Sequence, residues 1–477
     1  MNTFWRPFLI VALSVILLAL LANLIPACDN KVIPLKKLDL FKSLKSSFQP
    51  SAKDSLEILV KELHMESDLN SLQSFADKLK ELRQTGKGQL RIAYYGDSII
   101  EGDLMSGKLR EELQANYGGS GVGLVPITSI VNEFRKTIRH SFSHNWETLS
   151  FMSRSPNIPL GMMGYTFIPR NYYVAETIIE AEPLSDTLLV ADSTETDSTQ
   201  VAAAESRREA RRYYVDSPSW VEYSAVRTPG GASEFDQIRL FYSRAGSASQ
   251  VNVSYDGGSF IRRSLNPGEG IQVLDLSPPA PVKRIRLEFD SQDPIHLYGV
   301  SFDQPQGVYV DNLSVRGYSG MYFNRIPAEV LSAFQRHLNY DLIILQYGEN
   351  VSSPNTRDYG FYRDGMIRTV NHIKSAIHDV PILILSAHDR SVKVNGSYQT
   401  SADIPILVSA QGEVARETGS AFWNVFEAMG GLNSMQAFVA ARPPLASSDY
   451  THFNLAGANK IALMLYEVIT TGKSSSL

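Results

Sequence analysis

A chain of 477 residues, 43% hydrophobic and 20% charged, has apolar material enough for two or three packed domains. Its formal net charge of −5 shows no basic excess, which argues against nucleic acid as the main partner. A single cysteine excludes a disulfide framework and any thiolate zinc cluster.

That cysteine, Cys28, closes the first element. Leu9 to Ile25 form a nearly uninterrupted apolar run behind a short segment carrying Arg6, long enough for a secretory core or a marginal membrane span. The run ends in Ile-Pro-Ala-Cys, which resembles a bacterial lipoprotein cleavage box with Cys28 as lipid acceptor. Residues 1–28 are therefore expected to direct export and to tether the protein to a membrane, as an uncleaved anchor or through lipid. Residues 29–66, rich in Lys, Ser and Pro, read as a tether. Leu72, Phe75, Leu79 and Leu82 then recur at helical spacing, and Gly86 provides the stop. A strand follows, "LRIAYY", and runs straight into Gly96-Asp97-Ser98. Met105, Leu109 and Leu113 mark a second helix that ends near the glycines of "YGGSGVG". Those glycines follow a helix and not a strand, so they make no dinucleotide fingerprint.

From 122 to 306 the texture changes. Short apolar runs such as "WVEYSAV", "QIRLFYS" and "KRIRLEF" alternate with polar residues and predict an all-β sandwich. "VSYDGGSFIRR" predicts a hairpin turning at Asp256-Gly257. Residues 180–212, acidic first and basic last, are expected to form a disordered loop with a short helix in the Ala/Glu/Arg half. Trp220, Tyr223, Tyr242 and Tyr255 are either sandwich core or a sugar-stacking platform, and aromatics in short strands favour core. His140 and His144 are four apart in a stretch read as strand, which removes helical ligand geometry. No metal or cofactor site is expected.

From 307 to 477 the α/β texture returns. "DLIILQYG" and "VPILILSAHD" are the continuous apolar runs of parallel strands covered on both faces. Between them Tyr362, Met366, Val370, Ile373 and Ile377 share one face of a long helix, and a last helix runs from about Leu455 to Ile469. The expected fold is an α/β parallel-sheet domain in two parts, 67–121 and 307–477, interrupted by an inserted β-sandwich.

In open α/β sheets, sites form beyond the carboxyl ends of the strands. The polar residues there are Gly96-Asp97-Ser98, Gly317, Gly348-Glu349-Asn350 and His388-Asp389, with Asp449 and His452 of "DYTH" before the last helix. Alone, Asp97 or Ser98 is a good helix N-cap, and Asp449 is another. The cap reading weakens once Asn350, Asp449 and His452 stand at matching strand ends. His388 competes with His452 as a base, lines the cleft, or is a satisfied polar residue. A serine hydroxyl needs an imidazole to take its proton, and that imidazole needs a carboxylate to fix its tautomer.

These blocks, in this order, resemble the SGNH (GDSL-type) hydrolases: "GDSI" the first, Gly317 the second, "GEN" the third and "DYTH" the last. "YYGDSIIEGDLMSGKLREELQANYGGSGVGLVP" and "FWNVFEAMGG" resemble the peptidoglycan O-acetylesterase and O-acetyltransferase branch, which carries a carbohydrate-module-like insertion after the first block. Ile99 stands where that branch often has a polar residue, and Glu349-Asn350-Val351 replaces its usual Gly-Thr-Asn-Glu. The resemblance implies a three-layer, flavodoxin-like hydrolase domain. It casts Ser98 as nucleophile, His452 as base and Asp449 as its orienter, with the Ser98 and Gly317 N–H groups and the Asn350 amide as oxyanion hole. The activity implied is removal of O-acetyl groups from an envelope polysaccharide such as peptidoglycan, in the bacterial periplasm or cell envelope, with acetylated glycan as partner. Two alternatives stand beside it: an O-acetyltransferase supplied by an integral membrane acetyl donor, and a non-catalytic carbohydrate-binding scaffold.

Overall fold

The computed structural model describes residue 60 and residues 63–154, 158–179 and 207–474. The predicted membrane segment, nearly all of the tether, and most of the 180–212 loop lie outside the described residues. Among those described, no helix is long and apolar enough to cross a membrane.

Five parallel strands form the central sheet: β1 (Gln89–Gly96), β2 (Gly307–Ser314), β3 (Leu342–Gln346), β4 (Ile382–Leu385) and β5 (Ala421–Trp423). Their order is β2-β1-β3-β4-β5. Every residue of β3 and β4 is buried, as their unbroken apolar runs require. This order reverses between β1 and β3, the switch point where a doubly wound sheet opens a crevice beyond its strand ends.

Among the described residues, six helices of more than ten residues flank the sheet: α1 (Gln73–Thr85), α2 (Leu104–Tyr117), α3 (Ala328–Leu338), α4 (Gly360–Ala376), α5 (Ile404–Thr418) and α6 (Leu455–Thr471). Phe75 and Leu79 of α1, Met105 and Leu109 of α2, and Ile461 and Leu465 of α6 share one core with Ile92, Tyr94 and Ile344 of the sheet. Alternate residues of β1 and β3 point the other way. That face is covered by α3, α4 and α5, with Gln411 of α5 donating to the Tyr347 carbonyl just past β3. α1 stops as expected, at Gly86 in the left-handed conformation (φ +61°), whose N–H reaches the Leu82 carbonyl.

Between β1 and β2 the described residues build two large antiparallel sheets and a two-stranded ribbon. One contains Ile138–Phe142, Ser219–Ala225, Arg284–Phe289, Gln250–Tyr255 and Ile261–Ser264. The other is centred on His296–Asp303, which pairs with Gln237–Ser243 on one side and with Gly123–Val125 and Tyr165–Pro169 on the other. Val221, Val253 and Leu287 of the first meet Leu240, Leu297 and Phe302 of the second in a common core. The predicted hairpin turns at Asp256 and Gly257, both with positive φ (+51° and +81°).

Three expectations about this region are refined. Arg207–Tyr214 is not helical; it is a strand paired along its whole length with Tyr172–Ile179. Stacking of Tyr173 on Tyr213, with ring centroids 5.3 Å apart, and of the Arg212 guanidinium over Tyr172 rewards the ladder and overrides the helix propensity of Ala, Glu and Arg. Tyr223 and Tyr242 are fully buried core residues, whereas Trp220 and Tyr255 are half-buried. His140 is also core: its Nε2 lies 2.9 Å from the Ile127 carbonyl and its ring stacks on Tyr223, and burial pushes its pKa down to about 3.

The two ends of this region meet. The Val308 N–H donates to the Gly118 carbonyl at 3.0 Å, and a Cβ on Gly307 would come within 2.3 Å of that same oxygen. The sandwich then docks on the sheet through buried charges. Arg91 of β1 binds Asp303 of the sandwich and Asp311 of β2. Asp103, just ahead of α2, receives Arg110 from α2 and Arg135 and Thr137 from the sandwich.

Candidate active site

β1 delivers Asp97 and Ser98 to the carboxyl edge of the sheet. Asp97 Oδ1 accepts the Ile99 N–H at 3.0 Å, an Asx-type turn that leaves Ser98 partly exposed at the tip. Neither residue caps α2, which begins only at Leu104. Asp449 is no cap either, since α6 is capped by Asn454, whose side chain accepts the Gly457 N–H. The cap readings of all three residues therefore fail on geometry.

The ends of β2 and β3 converge on the same point. Asn350 Nδ2 donates to Asp97 Oδ2 at 2.8 Å and, more weakly, to the Tyr318 carbonyl at 3.3 Å. These two bonds tie the loops after β1, β2 and β3 together, so Asn350 is first a brace. Gly317 is exposed and has φ +77°, and a Cβ there would touch only Met152 Cε, at 3.5 Å. Its backbone angle, not a lack of space, is what requires glycine. Gly320 shares the left-handed backbone (φ +88°) and is also buried, with the Tyr347 ring 2.7 Å from where its Cβ would be, so both backbone and packing require glycine there. Neither the Ser98 nor the Gly317 N–H donates to another described residue.

Asp449 and His452 form their pair within one turn, as their three-residue spacing predicts. His452 Nδ1 lies 2.8 Å from Asp449 Oδ2, while Asp449 Oδ1 accepts the N–H groups of Thr451 and His452 at 2.9 and 3.0 Å. Burial alone would raise the Asp449 carboxyl, but these bonds outweigh it and hold the group below the usual carboxylate value. With the Nδ1 proton given to Asp449, His452 Nε2 carries the lone pair and has no partner among the described residues. Both side chains are about half exposed (48% and 50%). No hydrogen bond joins Ser98 Oγ to His452; nucleophile–base bonds of this kind commonly tighten only around substrate.

His388, weighed as a rival base, is 1% exposed and cannot reach a substrate. Its Nε2 lies 2.7 Å from the Thr451 carbonyl and its Nδ1 lies 3.2 Å from Glu349 Oε1. Sequence reasoning noticed Glu349 only as a departure from a pattern; the signal was an acid closing an apolar strand. Burial pushes its pKa up to about 8, and pushes Asp97 up to about 7.

The sandwich reaches the rim of this site. The Phe151 ring stacks on Tyr318 at 4.0 Å, Arg325 binds the carbonyls of Phe151 and Ser153, and Met152 between them stands 57% exposed beside Gly317. A cavity of about 310 Å³, lined in part by Glu101, Ser314, Thr128, Ser129 and Tyr165, separates the sandwich from the ends of β1 and β2.

No protein-family model matches the chain, and no curated protein matches it. Solved structures do. A peptidoglycan O-acetylesterase is 20% identical with a TM-score of 0.60, over 83% of this chain and 95% of that one. An acetyl xylan esterase (15% identical, 34% of this chain and 81% of that one, TM-score 0.26) and a family-two carbohydrate esterase from Clostridium thermocellum in complex with cellohexaose (11% identical, 54% and 93%, TM-score 0.24) are also similar. The 83% share is too large to come from the parallel-sheet domain alone. The chain thus shares the fold of that peptidoglycan O-acetylesterase, and its parallel-sheet α/β domain carries an inserted β domain.

Proposed function

We propose that the protein is a serine esterase that removes O-acetyl groups from a cell-envelope polysaccharide, with peptidoglycan as its glycan. The observation that carries this reading is the Asp449–His452 pair, with a free Nε2, presented among the strand ends that also present Ser98 and two undonated N–H groups. The fold shared with a peptidoglycan O-acetylesterase supports the choice of glycan. His452 Nε2 takes the Ser98 proton as Oγ attacks the acetyl carbonyl, and Asp449 stabilises the imidazolium. The Ser98 and Gly317 N–H groups receive the oxyanion, joined by the Asn350 amide once it releases the 3.3 Å bond to Tyr318. Collapse breaks the bond to the sugar oxygen, which takes the proton from His452. Water, activated by the same imidazole, then frees acetate. The half-exposed His452 admits both a polymer and water, which supports hydrolysis over transfer to a second sugar. Export is part of the proposal, and the apolar run from Leu9 to Ile25 and Cys28 support it.

The test is acetate release from O-acetylated peptidoglycan by the purified full-length protein, compared with its Ser98→Ala variant. Equal release from the two removes the reading. Asp449→Asn is expected to lower kcat about 10²- to 10⁴-fold, because an amide facing Nδ1 favours the wrong tautomer. Its thermal midpoint should barely move, since the pair is half exposed. Steady-state kinetics on a chromogenic acetyl ester and a thermal melt check both halves.

A further inference from the structure

The loop that carries His452 is open to solvent on one side, yet the imidazole must be held within a fraction of an ångström to serve as base. What holds it lies behind. The His388 ring bonds the carbonyl of Thr451 and packs against the ring of Phe453 at 4.6 Å, so it touches the residues on both sides of His452. Glu349 closes the rear of His388 at 3.2 Å. We propose that Glu349 and His388 are positioning residues, a buried pair that grips the chain on either side of His452 and sets an alkaline limit on activity. This rests on the reading of His452 as the base.

The proton count follows from the contacts. His388 Nε2 donates to the Thr451 carbonyl, so in the neutral ring Nδ1 is bare and can only accept. No described side chain donates to either Glu349 oxygen, and the His388 backbone N–H that faces the carboxyl draws on it less than burial opposes its charge. The proton on the 3.2 Å contact therefore belongs to Glu349. Burial accounts for this, holding Glu349 at about 8 against the weaker pull of Arg390 and His452, and holding His388 below its usual value. The other groups facing the pair are Asp97 at the end of β1, Tyr362 of α4, Asp389 after β4, and Asp403 at the start of α5. The folded carboxyl lies above its unfolded value of 4.5, so its contribution to stability is full below about 4.5 and is lost as pH rises through about 8. Above that, a bare carboxylate faces a bare nitrogen and the grip loosens. A serine–histidine pair alone has no reason to lose activity there, because its base only becomes more available.

The experiment is the kcat–pH profile from pH 5 to 10 on a soluble acetyl ester, for the full-length protein and for Glu349→Gln, His388→Ala and His452→Ala. Wild type should lose activity above pH ~8. Glu349→Gln cannot lose the proton; it should keep kcat at pH 7 within about threefold and lack the alkaline limb. His388→Ala should lower kcat about 10- to 100-fold with KM little changed. Side-chain ¹⁵N spectra of histidine-labelled wild type should show one ring as a neutral Nε2–H tautomer that does not titrate between pH 5 and 7.5. A limb unchanged in Glu349→Gln assigns it to Asp97 and overturns the proposal, as does a His388 that titrates normally. Should His388→Ala fail to fold, those two measurements decide alone. If His452→Ala stays active, the base assignment fails; if it is dead while the other two match wild type, only this inference fails.

Discussion

Ser98→Ala is expected to lower kcat about 10⁴- to 10⁶-fold on both small acetyl esters and acetylated glycan, leaving stability unchanged. The Ser98 side chain is partly exposed and makes no hydrogen bond to any described residue. Its truncation therefore removes a nucleophile and nothing that holds the fold. The turn that presents it is made by Asp97 and the Ile99 N–H, and both survive. The residue 98 N–H survives as well, so oxyanion stabilisation and His452 remain to give slow, water-driven turnover. Single-turnover kinetics with a thermal melt test the two halves together. A variant retaining a tenth of wild-type activity would falsify the nucleophile assignment.

Asp103→Asn is expected to destabilise the protein by about 3–5 kcal/mol. Asp103 is fully buried, and its carboxylate receives Arg110, Arg135, Ser106 and Thr137. Its backbone is left-handed (φ +65°), a conformation asparagine tolerates, so the substitution removes charge without backbone strain. What remains is two guanidinium groups out of water without the carboxylate that pairs them, and only the more distant Asp311 still favours Arg135. Burial would raise the Asp103 pKa, but Arg110 and Arg135 more than reverse this and hold it at about 2. The folded value lies below the unfolded 3.8, so the stabilisation is complete above pH ~3.8 and is lost as pH falls through about 2. The variant should therefore lose stability relative to wild type at neutral pH and converge with it in strong acid. Urea unfolding at pH 7 and below about pH 2 reads both. Arg135 and Thr137 come from the sandwich, so removing the insertion would strip the same partners and also take Asp303 from Arg91. The insertion is part of the electrostatic frame of the parallel-sheet domain.

Features governed by short-range physics were legible in the sequence. The apolar runs of β3 and β4, the 3.6-residue periodicity of α1 and the three-residue spacing of Asp449 and His452 each fix structure within one element. Ser98 was legible because a strand end states position. It does not state depth, which is why His388, also at a strand end, looked like a rival base although it is buried. Its role depends on Thr451 and Glu349, distant in sequence and brought close by the sheet. The strand at Arg207–Tyr214 was illegible for a related reason. Its partner lies across a long intervening segment, and local composition favoured helix until cross-strand tyrosine pairs could form. Asn350 was found by motif, but its bracing of Asp97 and Tyr318 required the register of three strands.

The junction of Gly118 with Gly307 and Val308 bears on how the chain reaches this fold. β1 and β2 are neighbours in the sheet yet are separated by some two hundred residues of chain. Pairing them directly means closing a loop of that length, with its entropic cost paid before any contact rewards it. Once the sandwich has formed and its two ends meet at the Gly118–Val308 bond, the effective loop shrinks to a couple of dozen residues, including α2. On the logarithmic scaling of loop closure this lowers the cost by about 2 kcal/mol. The insertion that splits the parallel-sheet domain in sequence thereby acts as the clasp that brings its edge strand home.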